Sequence, residues 1–572
     1  MACRIGEADF ETTTREDDCR VWAWSVCYTD DIEHPFYGED IDSFLLFVAR
    51  EGTAQYYFHN LAFDGRFVVD RLFRLGYEHT TERRPGKGQF TTLVSNKGKF
   101  YQIAVRFFSG VLVELRDSLK LFPMSVRAVA RAFGLPEGKG ELDYGEFREI
   151  GHNLTADEID YIRRDVQIVA QALEFNLAQG LDKMTIGANA LGWFKRQMGA
   201  KRFKKLFPVL TPEMDTYLRD AYRGGFTYVD PMWRGRDVFV GISVDYNSMY
   251  PSMLVSKPYP VGAPLQFLGR YERDDRYPLY VQSLTCLFEL KPHGIPMVQL
   301  RNAGYYGQHE YVERTIDPVS ITLTSVDLDL FLDNYEVDVL SWDGGVKFQA
   351  CHGADLFGEY VDYWGEVKRT SKGGMRQLAK LMLNNLYGKF STHPDVTQKV
   401  PVFNECRNLV EWVEGEHEER DPVYLPVGEF CTAWARDTLI RAIMANRDRF
   451  VYCDTDSMHL RGTWAPSGIR LHDTDLCAWK VEGQFWHARH LRAKCYIWDL
   501  NHEVCVTCAG MPDNIKEHCT FENFWFGFSN LEEVPTENGT IVRVKEGWGK
   551  LRPKAVPGGV VLVPSPYELK EG

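Results

Sequence analysis

The chain has 572 residues, more than one hydrophobic core accommodates, and a prior of roughly 100–200 residues per domain predicts about three to five units. Hydrophobic residues at 44% and aromatics at 13% exclude a disordered chain, and the lack of an apolar run of about 18 residues or more excludes a membrane-spanning helix. The net charge of −14 counts, as a sum, against a nucleic-acid partner, whereas basic clusters at 195–205, 366–382, 489–494 and 543–554 predict a basic groove on an acidic exterior.

The start, MACRIGEADFETTT, has no apolar segment of the kind a secretory leader carries. The 13 cysteines are scattered, and the one C-x-x-C, Cys505 with Cys508, has no matching second pair. They read as reduced thiols of an intracellular protein. Up to about residue 185, apolar strands such as VWAWSVCY and AQYYFHN alternate with helical stretches such as Ala156 to Gln179, which predicts an α/β domain over 1–185. Within it, ADFE places Asp9 and Glu11 two apart, HNLAFDGRFV supplies Asn60 and Asp64, and DYIRRDVQIV puts Tyr161 and Asp165 on one helix face. Singly each is an ordinary surface residue. Together, four acids and a tyrosine are what two divalent ions about 3.5–4 Å apart need in order to hydrolyse a phosphodiester. Lys139 in GKGELDY is either a plain loop lysine or a counter-charge for the phosphate.

From 186 to 256, basic helices lead into GISVDYNSMYPSM, a strand with Asp245 at its end. An α+β insertion is expected over 257–355, including a strand at VSITLTSV, and a helical segment over 356–391. In that segment, MRQLAKLMLNNLYGKF places Arg376, Lys380, Asn384 and Tyr387 within a sector of about 80°, with Leu378, Leu381, Met382 and Leu386 opposite. An amphipathic surface helix explains the stripe but not Tyr387 and Gly388; a grip on a triphosphate and a nucleotide base explains both. A hairpin excursion is expected over 392–427. FVYCDTDSMHL, 450–460, then reads as two short strands around a turn carrying Asp454 and Asp456. On extended backbone the two carboxylates would share a face and repel. An isolated D-x-D is ordinarily a solvated turn, and an EF-hand loop is poorly supported because no third acid, Gly and terminal Glu follow in the required order. A divalent cation shared with Asp245 would offset the repulsion, and an all-oxygen donor set suits Mg²⁺. The tail, 525–572, with VPGGVVLV, reads as a small β-rich cap.

The first acid set resembles the two-metal 3′–5′ exonucleases of the DEDD type, tyrosine subclass. DYNSMYP, KLMLNNLYG and YCDTDS resemble motifs A, B and C of family B DNA polymerases. YRGGF, Tyr222 to Phe226, resembles the Y-x-G-G linker between exonuclease and polymerase domains, and TAWAR and KCY resemble motifs that bind primer and template. The two insertions and the wording HPDVTQKVP resemble the protein-primed, terminal-protein-dependent polymerases of small Bacillus phages. About nine motifs in order carry the likeness along essentially the whole chain.

The resemblance implies an α/β and α+β multidomain fold: a ribonuclease H-like 3′–5′ exonuclease domain, 1–185, followed by a right-hand polymerase. The latter would comprise palm (186–256 and 428–524), fingers (356–391) and thumb (525–572). Its insertions would be a terminal-protein-docking region (257–355) and a strand-displacement hairpin (392–427). Asp9, Glu11, Asp64 and Asp165 would hold the exonuclease metals with Tyr161 and Lys139 assisting, and Thr12, Asn60, Phe63, Ser118 and Leu119 the frayed primer. Asp245, Asp456 and the Tyr246 carbonyl would bind the polymerisation metals, with Asp454 beside them. Lys368, Arg376, Lys380 and Asn384 would meet the triphosphate, while Tyr250 and Tyr387 shape the nucleotide pocket. Tyr222, Gly224, Gly225, Thr432, Arg436, Lys494 and Tyr496 would contact DNA. The implied cofactor is Mg²⁺, two ions per site, with Mn²⁺ as a substitute. The implied partners are primer-template and single-stranded DNA, dNTPs and a terminal protein that primes synthesis. No membrane is expected; the protein would be a monomer, a heterodimer with the terminal protein at initiation, in the cytoplasm of the infected host cell.

Two other readings stay open on sequence: a nucleic-acid-primed family B polymerase of a plasmid or mobile element, and a catalytically inactive DNA-binding scaffold. The chain also departs from the family at Asn385 (usually Ser), Arg376 (usually Lys) and Cys495 (usually Thr), and in a shorter segment between Trp498 and Val504. Its acidity carries a consequence. Phosphate contacts weaken as salt rises through counterion release, so product length per binding event is expected to shorten between low and physiological salt more than the family's norm. Single-turnover extension on a long template measures this.

Overall fold

The structure is a computed structural model that describes residues 4–135, 142–143, 146–300, 311–536 and 539–571. Lys139 lies outside the described residues.

The N-terminal unit is built on an eight-stranded mixed sheet. In spatial order its strands are Asp31–Gly38, Val21–Tyr28, Arg4–Thr12, Ala54–Phe58, Leu112–Asp117, Phe100–Arg106, Gln89–Val94 and Glu78–His79. Arg4–Thr12 runs parallel to Ala54–Phe58, which runs parallel to Leu112–Asp117. All eight residues of VWAWSVCY are buried, as a strand covered on both faces requires. The cover on one side is the helix Ala156–Ala178, started by a capping box between Thr155 and Glu158.

A seven-stranded sheet forms the centre of the molecule. Its order is Glu503–Cys508, Cys495–Leu500, Trp479–Arg492, Asp237–Tyr246, Ser457–Arg461, Phe450–Asp454 and Thr227–Val229, antiparallel at every pairing. Segments more than 200 residues apart in sequence thus meet in adjacent strands, because everything between 247 and 449 folds as excursions from this sheet. The helix Pro426–Met444 is buried nearly all round, Glu429, Thr432, Arg436 and Asp437 included, as a core helix rather than a surface one is.

The excursions depart from the expected elements in one place. A four-stranded sheet occupies the first, in the order Pro258–Phe267, Tyr335–His352, Leu279–Leu290, Val319–Thr324. The strand expected at VSITLTSV stops at Thr324, because the Thr324 hydroxyl accepts from Asp327 N and caps a helix, Ser325–Asn334. The helices Gly353–Thr370 and Gly373–Phe390 pack together. The hairpin Lys399–Asn404/Leu409–Glu414 leans on the N-terminal unit, with the Trp412 ring 4.7 Å from Phe100.

The tail folds into two hairpins, Leu531–Thr536/Gly539–Val544 and Leu551–Val556/Gly559–Pro564. The second reaches the N-terminal unit. Lys554 pairs with Glu16 at 2.6 Å, Val560 joins the core around Phe67, and Gly558 lies so close that a Cβ would stand 2.3 Å from the Cys19 carbonyl. Among the described residues the cysteines are free thiols, and no helix is long and apolar enough to cross a membrane.

Candidate active sites

The first acid set converges. Asp9 and Glu11 on the strand Arg4–Thr12, Asp64 on the helix Leu61–Arg74 and Asp165 on the helix Ala156–Ala178 line one cavity of about 470 Å³. Thr12, Asn60 and Phe63 line it too. Asn60 adopts a left-handed conformation, φ 92°, which turns the chain from strand into helix and brings Asp64 inward. Burial, and then the charges of Asp9 and Glu11, push the Asp64 carboxyl well above its usual range. Such a carboxyl is poised for a counter-charge.

The structure places three more of the expected residues. Tyr161 belongs to a buried cluster with Trp22, Ala23 and Ile162, one helical turn before Asp165. Ser118 is fully buried, its hydroxyl donating to Glu7 Oε1 at 3.2 Å, so it supports the cavity wall rather than holding a strand directly. Leu119 is half-buried, its N–H donating to Asp117 Oδ1 at 3.0 Å.

Two features of this cavity were not anticipated. Glu7 lines it, on the same strand face as Asp9 and Glu11; the period-2 rule that linked Asp9 to Glu11 would have found it. Leu551, Val561 and Leu562 of the last hairpin close its mouth, a long-range contact that leaves no local sequence signal.

The second acid set stands on the central sheet. Asp245, near the end of Asp237–Tyr246, pairs in register with Ser457 on one side and Lys480 on the other. The turn of the hairpin Phe450–Asp454/Ser457–Arg461 is kinked at Thr455, φ 58°, and the Tyr246 N–H donates to the Asp456 carbonyl at 2.7 Å. That kink separates the two aspartates of YCDTDS, correcting the expectation of a shared face. Asp456 turns to Asp245: burial, then Asp245 and Asp454, raise its carboxyl from the ordinary 3.8 to about 6. Asp245 is raised too, by burial, against the pull of Lys480 at 3.2 Å. Asp454 instead accepts from Lys494 Nζ at 2.7 and 2.9 Å and from the Thr227 hydroxyl at 3.1 Å. It is paired with Lys494 while its charge still bears on Asp456. Lys480, contributed by strand register alone, was not foreseen.

Above this pair, Lys368 Nζ donates to the Ser248 hydroxyl at 3.1 Å. Burial, then Arg376 and Lys380, lower its pKa, which places the three cations together. Arg376, Lys380 and Asn384 occupy the exposed face of the helix Gly373–Phe390, and Leu378, Met382 and Leu386 its buried face. The Tyr250 and Tyr387 rings stack at 3.9 Å. Gly224 and Gly225 are exposed and Tyr222 half-buried. A Cβ on Gly225 would meet Thr455 Oγ1 at 2.8 Å, so this linker passes against the acidic turn.

Three residues expected on DNA lie in the core. Arg436 spends its donors on Asp327 and on the Arg223 and Gly224 carbonyls. The Thr432 hydroxyl bonds back to its own helix at Gly428 and Glu429. Tyr496 is buried among Tyr452, His459, His490 and Trp498. None has a free polar group for a phosphate; they hold the backbone that carries the site.

Both sites present carboxylate oxygens, the donors that Mg²⁺ prefers; burial first, and neighbouring acids after it, raise Asp64 in one and Asp456 in the other. Among the described residues no three His, Cys, Asp or Glu side chains stand at coordinating separation. The donor chemistry fits divalent cations at both places.

The chain is similar to known proteins over its whole length. It is 40% identical to the DNA polymerase of Bacillus phage M2 and 38% identical to that of Bacillus phage phi29, each over 100% of both chains. It is 28% identical to the DNA polymerase of Streptococcus phage Cp-1, over 100% of this chain and 99% of that one. The fold matches phi29 DNA polymerase complexed with primer-template DNA and incoming nucleotide substrates, with a TM-score of 0.92 over 99% of this chain and 100% of that one at 38% identity. Residues 49–151 and 145–470 match the family described as DNA polymerase type B, organellar and viral. The chain belongs to that family and is a DNA-directed DNA polymerase.

Proposed function

We propose that the protein couples templated DNA synthesis at Asp245 and Asp456 to 3′–5′ removal of mispaired ends at Asp9, Glu11, Asp64 and Asp165. The observation that carries this reading is the presence of two carboxylate clusters on two separate sheets of one chain, the first inside a cavity closed by the C-terminal hairpin. Divalent cations, when bound, supply charge neutralisation and activation of the attacking oxygen. Asp245 and Asp456 would hold one pair, beside the Tyr246 backbone. Asp9, Glu11, Asp64 and Asp165 would hold the other.

The chain's own groups do the rest. Lys368, Arg376 and Lys380 grip the triphosphate as pyrophosphate leaves. Tyr250, stacked on Tyr387, forms the floor under the sugar. Lys494, held by Asp454, steadies the primer end, and Thr12, Asn60 and Phe63 receive a frayed end in the N-terminal cavity. On this reading the exonuclease domain is 1–185, the palm 186–256 and 428–524, the fingers 356–391 and the thumb 525–572. The insertion at 257–355 would dock a terminal protein whose hydroxyl primes synthesis. The hairpin at 392–427, which leans on the N-terminal unit, would part downstream strands. Whole-length likeness to phage polymerases supports this assignment, and with it a role in viral genome replication in the cytoplasm of an infected cell.

A labelled primer-template with Mg²⁺, with and without dNTPs, tests the central claim. Wild type is expected to shorten the primer without dNTPs and lengthen it with them, Asp456→Ala to lose only extension and Asp9→Ala only degradation. An Asp456→Ala protein that extends normally overturns the assignment. Protein priming is checked by initiation on an end without primer, which would require the terminal protein.

The stacked tyrosines give a further expected result. Tyr250→Val removes the ring beneath the sugar and should admit a 2′-hydroxyl, raising ribonucleotide incorporation relative to dNTP by about 10- to 100-fold. Single-nucleotide incorporation kinetics with matched rNTP and dNTP measure it.

A further inference from the structure

A fifth carboxylate in the N-terminal cavity has no part in the scheme above. Glu7 precedes Asp9 by two residues on the strand Arg4–Thr12, so alternation turns Glu7, Asp9 and Glu11 to one face. Its side chain is only 1% exposed, and it lines the cavity together with Asp9, Glu11, Asp64 and Asp165. One of its oxygens is anchored: Oε1 accepts from the Ser118 hydroxyl at 3.2 Å, and Ser118 lies 3.1 Å from His59 Nδ1. The other, Oε2, is buried with no hydrogen-bond partner.

An unpartnered buried carboxylate oxygen is costly. Glutamine or an apolar residue of similar size would fill the same space without adding charge beside Asp9. The missing partner is defined by its surroundings. The charged neighbours in the cavity are carboxylates, so another acceptor cannot satisfy Oε2. A water could bond it but would leave the repulsion untouched. A proton answers both demands for Glu7 alone, whose carboxyl burial and then Asp9 push well above its usual range; a hard divalent cation answers them and offsets the charge of Asp9 as well.

We propose that Glu7 Oε2 is an additional ligand for a divalent cation shared with Asp9, so that the N-terminal site is a five-carboxylate site rather than a four-carboxylate one. The inference rests on the proofreading reading of this cavity. Ser118 and His59 are then positioning residues that fix the Glu7 carboxyl by its other oxygen. The extra anionic ligand should let the site fill at lower cation concentration than four acids permit.

The test uses the full chain carrying Asp245→Asn and Asp456→Asn, so that Mn²⁺ binding followed by electron paramagnetic resonance reports the N-terminal site. Glu7→Gln, nearly equal in size, is expected to raise the apparent Kd for Mn²⁺ about tenfold. It should also leave the metal-free Tm equal or higher while shrinking the Tm gain on adding Mn²⁺. A purely structural glutamate would instead lower the metal-free Tm and leave the Mn²⁺-induced gain unchanged. Glu7→Leu, which keeps volume and removes both oxygens, carries the same test should Glu7→Gln fail to fold. Asp9→Asn in the same background separates the two levels of the argument. If Asp9→Asn loses Mn²⁺ and the Glu7 variants bind it as the parent does, the Glu7 proposal alone falls. If all bind as the parent does, the proofreading reading of the cavity falls with it.

Discussion

Asp456→Asn is expected to lower templated extension by about 10²- to 10³-fold and, in the absence of metal, to make the protein more stable. Both effects follow from one arrangement. Asp456 stands beside Asp245 and near Asp454, partly buried, with its carboxyl raised from the ordinary 3.8 to about 6. A folded-state pKa raised above the unfolded value means that the protonated form suits the fold. Its contribution is therefore fully present below pH 3.8 and is lost as pH rises through about 6. Above that, the ionised carboxylate costs the metal-free fold ~3 kcal/mol. Asparagine keeps the shape and cannot ionise.

Thermal scans in chelator from pH 4 to 8 should show the wild-type Tm falling behind that of Asp456→Asn as pH rises, with the gap complete by about pH 7. Adding Mg²⁺ should reverse the order at pH 8, because the cation competes with the proton for Asp456. An Asp456→Asn protein no more stable than wild type at pH 8 in chelator would show that the repulsion is relieved within the fold.

How far the sequence exposes these sites depends on the range of the interaction that builds them. Asp9 and Glu11 share a strand face and Asp165 sits on a capped helix, so local periodicity brings each to the correct element. The hairpin at YCDTDS is also local, and both strands lie where apolar alternation placed them. Its geometry is not local: the kink at Thr455 is set against Gly225 and the Tyr246 backbone, and it decides which aspartate faces Asp245. Lys480 reaches Asp245 only through strand pairing across 235 residues. Leu551, Val561 and Leu562 close the first cavity from the opposite end of the chain. Thr432, Arg436 and Tyr496 mark the matching limit. A motif reveals that a residue serves the site but not whether it touches DNA or holds what does.

Arg436 makes that limit measurable, because Arg436→Met is expected to destabilise the protein by ~3–5 kcal/mol. The guanidinium is 3% exposed and Asp327 fully buried; they meet at 2.9 and 2.7 Å. Burial alone would raise the Asp327 carboxyl, yet Arg436 holds it below its ordinary range. Glu429 lies close by with both oxygens unpartnered, pushed well above its usual range by burial and then by Asp327. Removing Arg436 thus leaves a bare buried carboxylate beside another acid, which is the expensive way to break such a pair. Arg436→Met with Asp327→Leu removes both charges and should recover most of the loss, and a double-mutant cycle in denaturant reads the coupling. Stability is only half of the role. Arg436 also binds the Arg223 and Gly224 carbonyls at 2.6 and 2.7 Å, in the segment that leads into the strand Thr227–Val229 and presses on the acidic turn. The double variant frees that linker while repairing the core. It should therefore regain its Tm and still show an altered ratio of extension to primer degradation. If the ratio returns with the Tm, the linker is held well enough without Arg436, and the arginine serves the core alone.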